Sequence, residues 1–130
     1  MITKGITVSS KVCMLELLAK QDFKLALYSI NAELDCYTAE YTSTNEARGK
    51  GYKAGGLDLE NPRVWVEDEQ AYLTWDSPVI PVSTLSANGF MIYCPTMDNR
   101  SIFIGSWNAT YTSTEGPFTI NISPEQVCLS

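Results

Sequence analysis

The sequence predicts a mainly β fold, an antiparallel β-sandwich or partly open barrel with one N-terminal α-helix. Three observations carry this. Apolar residues recur at helical spacing only once, near the N-terminus. Several later runs alternate apolar and polar residues with period two. Clusters of Gly, Pro, Asn and Asp separate those runs.

Residues 1–8 read as an extended arm, and residues 9–130 as a single β-rich domain. Ser9 or Ser10 is expected to cap a helix over Lys11–Gln21. There Val12, Leu15 and Ala19 form an apolar stripe, widened by Met14 and Leu18. Phe23, Leu25 and Leu27 then alternate with Lys24, Ala26 and Tyr28, the pattern of a strand with one core face. Residues 31–50 are polar and predict a long loop with one short strand at most. Gly49, Gly51, Gly55 and Gly56 bracket Tyr52, where turns or close backbone approaches are expected.

Val64–Val66 and Ala71–Trp75 predict a hairpin turning at Glu67–Gln70. Pro78 and Pro81 interrupt a sheet ladder, so residues 77–84 are expected as a loop or sheet edge. Gly89–Cys94 and Ser101–Trp107 predict a second hairpin. Phe118, Ile120 and Ile122 predict a further strand, and Val127–Leu129 a closing one.

The chain has 130 residues, which suits one domain, and a net charge of −6. An acidic balance opposes binding to nucleic acid or to an anionic membrane, both of which reward a basic face. No apolar run approaches the roughly 20 residues a spanning helix needs. The first ten residues lack an apolar core of signal-peptide type, so synthesis in the cytoplasm is expected. Cys13, Cys36, Cys94 and Cys128 are scattered, which predicts buried free thiols rather than disulfides or a zinc site.

With no histidine, the chain cannot assemble a Ser-His-Asp or Cys-His centre. It carries no dinucleotide fingerprint, and Gly49–Gly55 lacks the Gly-Lys-Ser/Thr ending of a phosphate loop. No catalytic residue, cofactor or metal is therefore expected. Paired carboxylates remain the one route to hydrolysis. Their densest group, Glu67, Asp68 and Glu69, reads as a solvated hairpin tip. Trp65, Trp75, Trp107 and seven tyrosines suit core packing first, and sugar stacking or an interface second.

Several stretches carry a resemblance, in this order: Glu16–Leu18, Phe23–Tyr28, Tyr41–Glu46, Gly49–Gly56 followed by Leu59, Ala71–Leu73, Ala87–Tyr93 and Thr114–Ile120. Together they resemble small virion proteins from the structural modules of tailed bacteriophages. Asn45-Glu46 with the glycine run is the most specific part. The chain departs from that pattern at Pro78–Pro81 and in its four cysteines. The resemblance implies a non-catalytic structural component located in the virion. Capsid decoration, in many copies on the shell, ranks first. Head–tail joining, or a tail or fibre role, is the alternative; apart from the resemblance, the aromatic residues motivate another, a carbohydrate-binding module or adhesin tip. The partners implied are the major capsid or tail protein and further copies of the chain itself. Ile2, Thr3 and Lys4 in the arm, with Asn45, Glu46, Gly49, Gly51, Tyr52, Gly55 and Gly56, are the expected contact surface.

Overall fold

A computed structural model describes residues 1–130. Helix α1 spans Val8–Ala19. Seven strands follow: β1 (Lys24–Tyr28), β2 (Leu57–Asp58), β3 (Arg63–Glu67), β4 (Gln70–Thr74), β5 (Val79–Cys94), β6 (Arg100–Thr119) and β7 (Val127–Leu129). They form two antiparallel sheets, ordered β2-β1-β5-β6 and β3-β4-β7, and the sheets are not closed into a barrel. The fold is thus mainly β with one N-terminal helix, as expected. No helix is long and apolar enough to cross a membrane.

The sequence suggests an arm and one domain. The contacts fall into two compact units. The first comprises Met1–Gln21, Glu60–Asp76 and Ile122–Ser130, and the second Asp22–Leu59 and Ser77–Asn121.

In the first unit, α1 packs on β3 and β4. Its cap is Thr7, whose side chain accepts from the Ser10 amide at 3.2 Å, so Ser9 and Ser10 lie inside the first turn rather than capping it. The stripe is narrower than expected: Leu15 is buried, Val12, Leu18 and Ala19 are half-buried, and Met14 is exposed. The β3–β4 hairpin closes on a two-residue turn, Asp68-Glu69. Both residues have positive φ, the geometry that matches the twist of flanking strands. Trp65 stacks on Tyr72 with centroids 4.5 Å apart, and its indole N–H donates to the Pro124 carbonyl at 2.8 Å. β7 completes the sheet by pairing with β4.

In the second unit, β1 runs beside the turn-proximal half of β5, with Leu25 opposite Ile92 and Leu27 opposite Phe90. The expected one-sided strand is buried on both faces, because Ala26 and Tyr28 are as buried as Leu25 and Leu27. The reason lies in residues 29–56, from which Ala32, Leu34 and Tyr41 pack over Ala26, Tyr28, Met91 and Tyr93. Both strands of the second hairpin are longer than predicted. β5 passes through Pro81, where the register shifts between Ile80 and Ser83. A bulge releases the ladder bond that proline cannot make. A larger irregularity sets Ala87 opposite Tyr111 and Gly89 opposite Ser106, so residues 107–110 bow out of the ladder, with Asn108 at positive φ. β6 ends at Thr119. Ile120, and Ile122 of the first unit, are buried without belonging to a strand.

All four cysteines are free. Only Cys94 is buried; Cys13, Cys36 and Cys128 are exposed, which corrects the expectation of four buried thiols.

Candidate functional site

The stretch that stood out in the sequence, Asn45–Gly56, is a clasp along the edge of the four-stranded sheet. Asn45–Ala47 first lie antiparallel to the end of β1: Ser29 N–H donates to Asn45 O at 2.9 Å and Ala47 N–H to Leu27 O at 2.8 Å. The chain then swings out. Lys50 exchanges main-chain bonds with Thr84 of β5 at 3.0 and 3.1 Å, extending the sheet where β1 has stopped. It returns at Leu57–Asp58, which pair with β1 as β2.

The glycines make this path possible. A Cβ on Gly49 would lie 2.2 Å from Thr84 O, one on Gly51 2.3 Å from Val82 O, and one on Gly56 2.0 Å from Leu25 O. Gly51 and Gly56 also have φ near +90°, a backbone region that L side chains avoid. These are close approaches of backbone to strand, the second of the two uses the sequence suggested.

The excursion takes the main chain away from the Leu27 N–H, which would be orphaned at a buried edge. The Tyr52 phenol oxygen accepts that N–H at 2.9 Å and donates its own proton to Glu46 Oε2. Glu46 is only 7% exposed. Its carboxyl also accepts from the Tyr41 phenol at 2.5 Å and from the Gly55 amide at 2.9 Å. Tyr93 donates to Gly55 O at 2.5 Å and stacks on Tyr41 at 4.6 Å, while Tyr28 donates to Thr42 O at 2.6 Å. One carboxyl group thus ties residues 41, 52 and 55 together over the sheet. Burial pushes all four phenols above the ordinary tyrosine range. For Tyr41 and Tyr52, the hydrogen bond to Glu46 adds to that shift; for Tyr28 and Tyr93 the nearby Glu46 charge does.

The expected contact residues therefore divide. Glu46 is buried, Tyr52, Gly55 and Gly56 are half-buried, and Asn45, Gly49 and Gly51 are exposed on the clasp. Ile2, Thr3 and Lys4 are all exposed, within an arm (residues 1–7) that has no regular secondary structure. Sequence reasoning missed Tyr28, Tyr41 and Tyr93. Their spacing contains no signal for one cluster, because 65 residues separate Tyr28 from Tyr93.

Shallow grooves flank β6. One of about 400 Å³ lies between Asp35–Thr38 and Ser101–Ile104. Another of about 360 Å³ lies between Ser29–Leu34 and Ile104–Ser106. A third, of about 420 Å³, is bordered by Trp107, Tyr111 and Phe118, with the Tyr111 ring edge-on to Trp107 at 5.5 Å. Glu67, Asp68 and Glu69 are exposed at the tip of their hairpin. No protein-family model, curated protein or solved structure matches this chain.

Proposed function

We propose that this chain is a non-catalytic structural component of a bacteriophage particle, with capsid decoration as the leading role. It would bind the shell, and further copies of itself, in many repeated modest contacts that gain strength from multiplicity. The observation that carries the reading is what its most distinctive residues do. Asn45-Glu46 and the glycine run, the core of the resemblance to virion proteins, are occupied in fastening a loop to a sheet. Glu46, the one buried acid, has both carboxyl oxygens taken up by donors of its own clasp. What stays open to a partner is surface: the arm, the clasp exterior and the free side of β6.

Copy number in purified particles tests this. Absence from the virion rejects the reading. A count close to that of the major shell protein supports decoration. About a dozen copies or fewer would assign the chain to head–tail joining or to a tail or fibre part present in few copies.

A second reading, a carbohydrate-binding module, draws on the Trp107–Tyr111 groove, where Thr112, Thr119 and Asn121 set polar groups beside aromatic rings. Glycan-array screening with indole fluorescence tests it. A flat response across the array removes it.

A further inference from the structure

The outer side of β6 is open. β6 is the last strand of its sheet, and its free edge is covered only at its start. There the main chains at Glu40 and Arg100 form an isolated β-bridge: Tyr41 N–H donates to Asn99 O, and Ser101 N–H to Ala39 O. The covering segment then turns away. Thr38 N–H bonds back to Asp35 O at 3.0 Å and Tyr37 N–H to Asp35 Oδ1 at 2.8 Å. Downstream, the bowed residues 107–110 end the regular edge. Between these limits Ile102-Phe-Ile-Gly-Ser106 is an unpaired edge with no charge and no proline. Sheet proteins rarely leave such a feature bare, because it templates pairing with another strand. The two grooves described above meet along it and share Ile104.

We infer that this edge receives the N-terminal arm of a second copy of the chain, added as an extra strand. The arm fits in length. Residues 2–6 match residues 102–106 one for one, each spanning about 16 Å when extended. It fits in pattern. Ile2, Lys4 and Ile6 fall on one side of an extended arm, with Ile2 and Ile6 about 13 Å apart, while Thr3 and Gly5 fall on the other. Ile2 and Ile6 are 100% and 64% exposed, two large apolar side chains with nothing over them. The grooves on either side of Ile104 offer each a seat, among Ile102 and Ile104 at one end and Ala32 and Leu34 at the other. It fits in charge. Residues 1–15 carry Lys4 and Lys11 and no acid. Asp35 is the one charged residue that lines the two grooves. Main-chain bonds along the edge supply affinity, and the alternate isoleucines supply register. Open space surrounds the arm at Gly5, where an added Cβ would meet nothing within 4 Å. The inference stands on this geometry whether or not the chain belongs to a particle.

Sedimentation velocity on the full chain tests it, from about 1 µM to about 500 µM with a thiol reductant present to exclude cross-linking through exposed cysteines. The wild-type chain is expected to associate reversibly. The double variant Ile2→Asp with Ile6→Asp, which touches only exposed positions, is expected to weaken association at least about tenfold while keeping wild-type circular dichroism. Ile104→Lys, altering the receiving edge, is expected to do the same if it folds. A wild-type chain that stays monomeric throughout overturns the inference, as does an arm variant that associates like wild type. Amide exchange separates the remaining case. Protection of residues 102–106 that is equal in a strictly monomeric sample means that the arm occupies its own chain's edge, and the second copy is then rejected.

Discussion

The Glu46 carboxyl and the Tyr52 phenol are hydrogen-bonded, and through that phenol the carboxyl reaches the main chain of β1 at Leu27. The link joins the loop that covers one face of the sheet to the strand at its centre. Removing the acceptor leaves the Tyr41 hydroxyl, the Tyr52 hydroxyl and the Gly55 N–H competing for no partner at a buried site. Bonds to a charged group contribute about 1.5–3 kcal/mol each, and unmet buried donors cost about as much. Glu46→Gln presents an amide N–H₂ where donors already point, and is expected to lose about 2–4 kcal/mol. Chemical denaturation measures it. A loss below about 0.5 kcal/mol would mean the clasp does not hold the fold.

Alkaline pH should loosen the same cluster. Unfolded phenols ionise near about pH 10, and in the folded chain burial holds Tyr28, Tyr41, Tyr52 and Tyr93 protonated beyond that. Below about pH 10 both states keep these protons and the stabilisation is complete. As pH rises further, the unfolded state releases protons that the folded state retains, so stability falls. The tyrosinate absorbance of these four phenols and the loss of near-ultraviolet circular dichroism are expected to rise together in one alkaline step. Ionisation of all seven tyrosines with the native spectrum intact would contradict this.

Gly56→Ala tests the close approach on β1. Its Cβ would stand 2.0 Å from Leu25 O at a φ of +91°, and neither backbone can retreat without breaking β2 pairing. A destabilisation of about 2–4 kcal/mol is expected. Gly116→Ala is the control. Its nearest contact would be Thr114 O at 3.6 Å, and a change within about 0.5 kcal/mol is expected. Thermal melts of the two variants should separate clearly.

The Asp68-Glu69 turn carries avoidable strain, since both residues sit at positive φ, 51° and 64°. Replacing the pair by Asn-Gly (Asp68→Asn with Glu69→Gly) suits that geometry and removes two like charges from one tip. A gain of about 0.5–1 kcal/mol in unfolding free energy is expected. A loss of stability would show that the acidic side chains make an offsetting contribution.

Thiol accessibility checks the cysteine assignments. Cys13, Cys36 and Cys128 should react with a thiol reagent in the native protein, and Cys94 only after denaturation. Four equally fast thiols would contradict the burial of Cys94 in β5.

Local alternation was enough to recognise β1, the β3–β4 hairpin and the core of the β5–β6 hairpin, because a strand's side-chain period is written in adjacent residues. Pro81 misled for a physical reason. A proline breaks a ladder only where its missing N–H is needed, and a bulge removes that need. Helix capping was off by two residues because Thr7, Ser9 and Ser10 are all competent caps, and it is Thr7 whose side chain accepts a first-turn amide.

By itself the sequence determined that this chain is mainly β with one helix near the start, that its glycines crowd one loop, and that it has no histidine to shuttle a proton. Those properties depend on residue type and near neighbours. The tertiary structure alone decided that Glu46 is buried, that phenols from positions 41 and 52 converge on it, and that residues 102–106 keep an open edge. Each of these depends on which distant segments meet, and pairing between segments far apart in the chain leaves no local period to read.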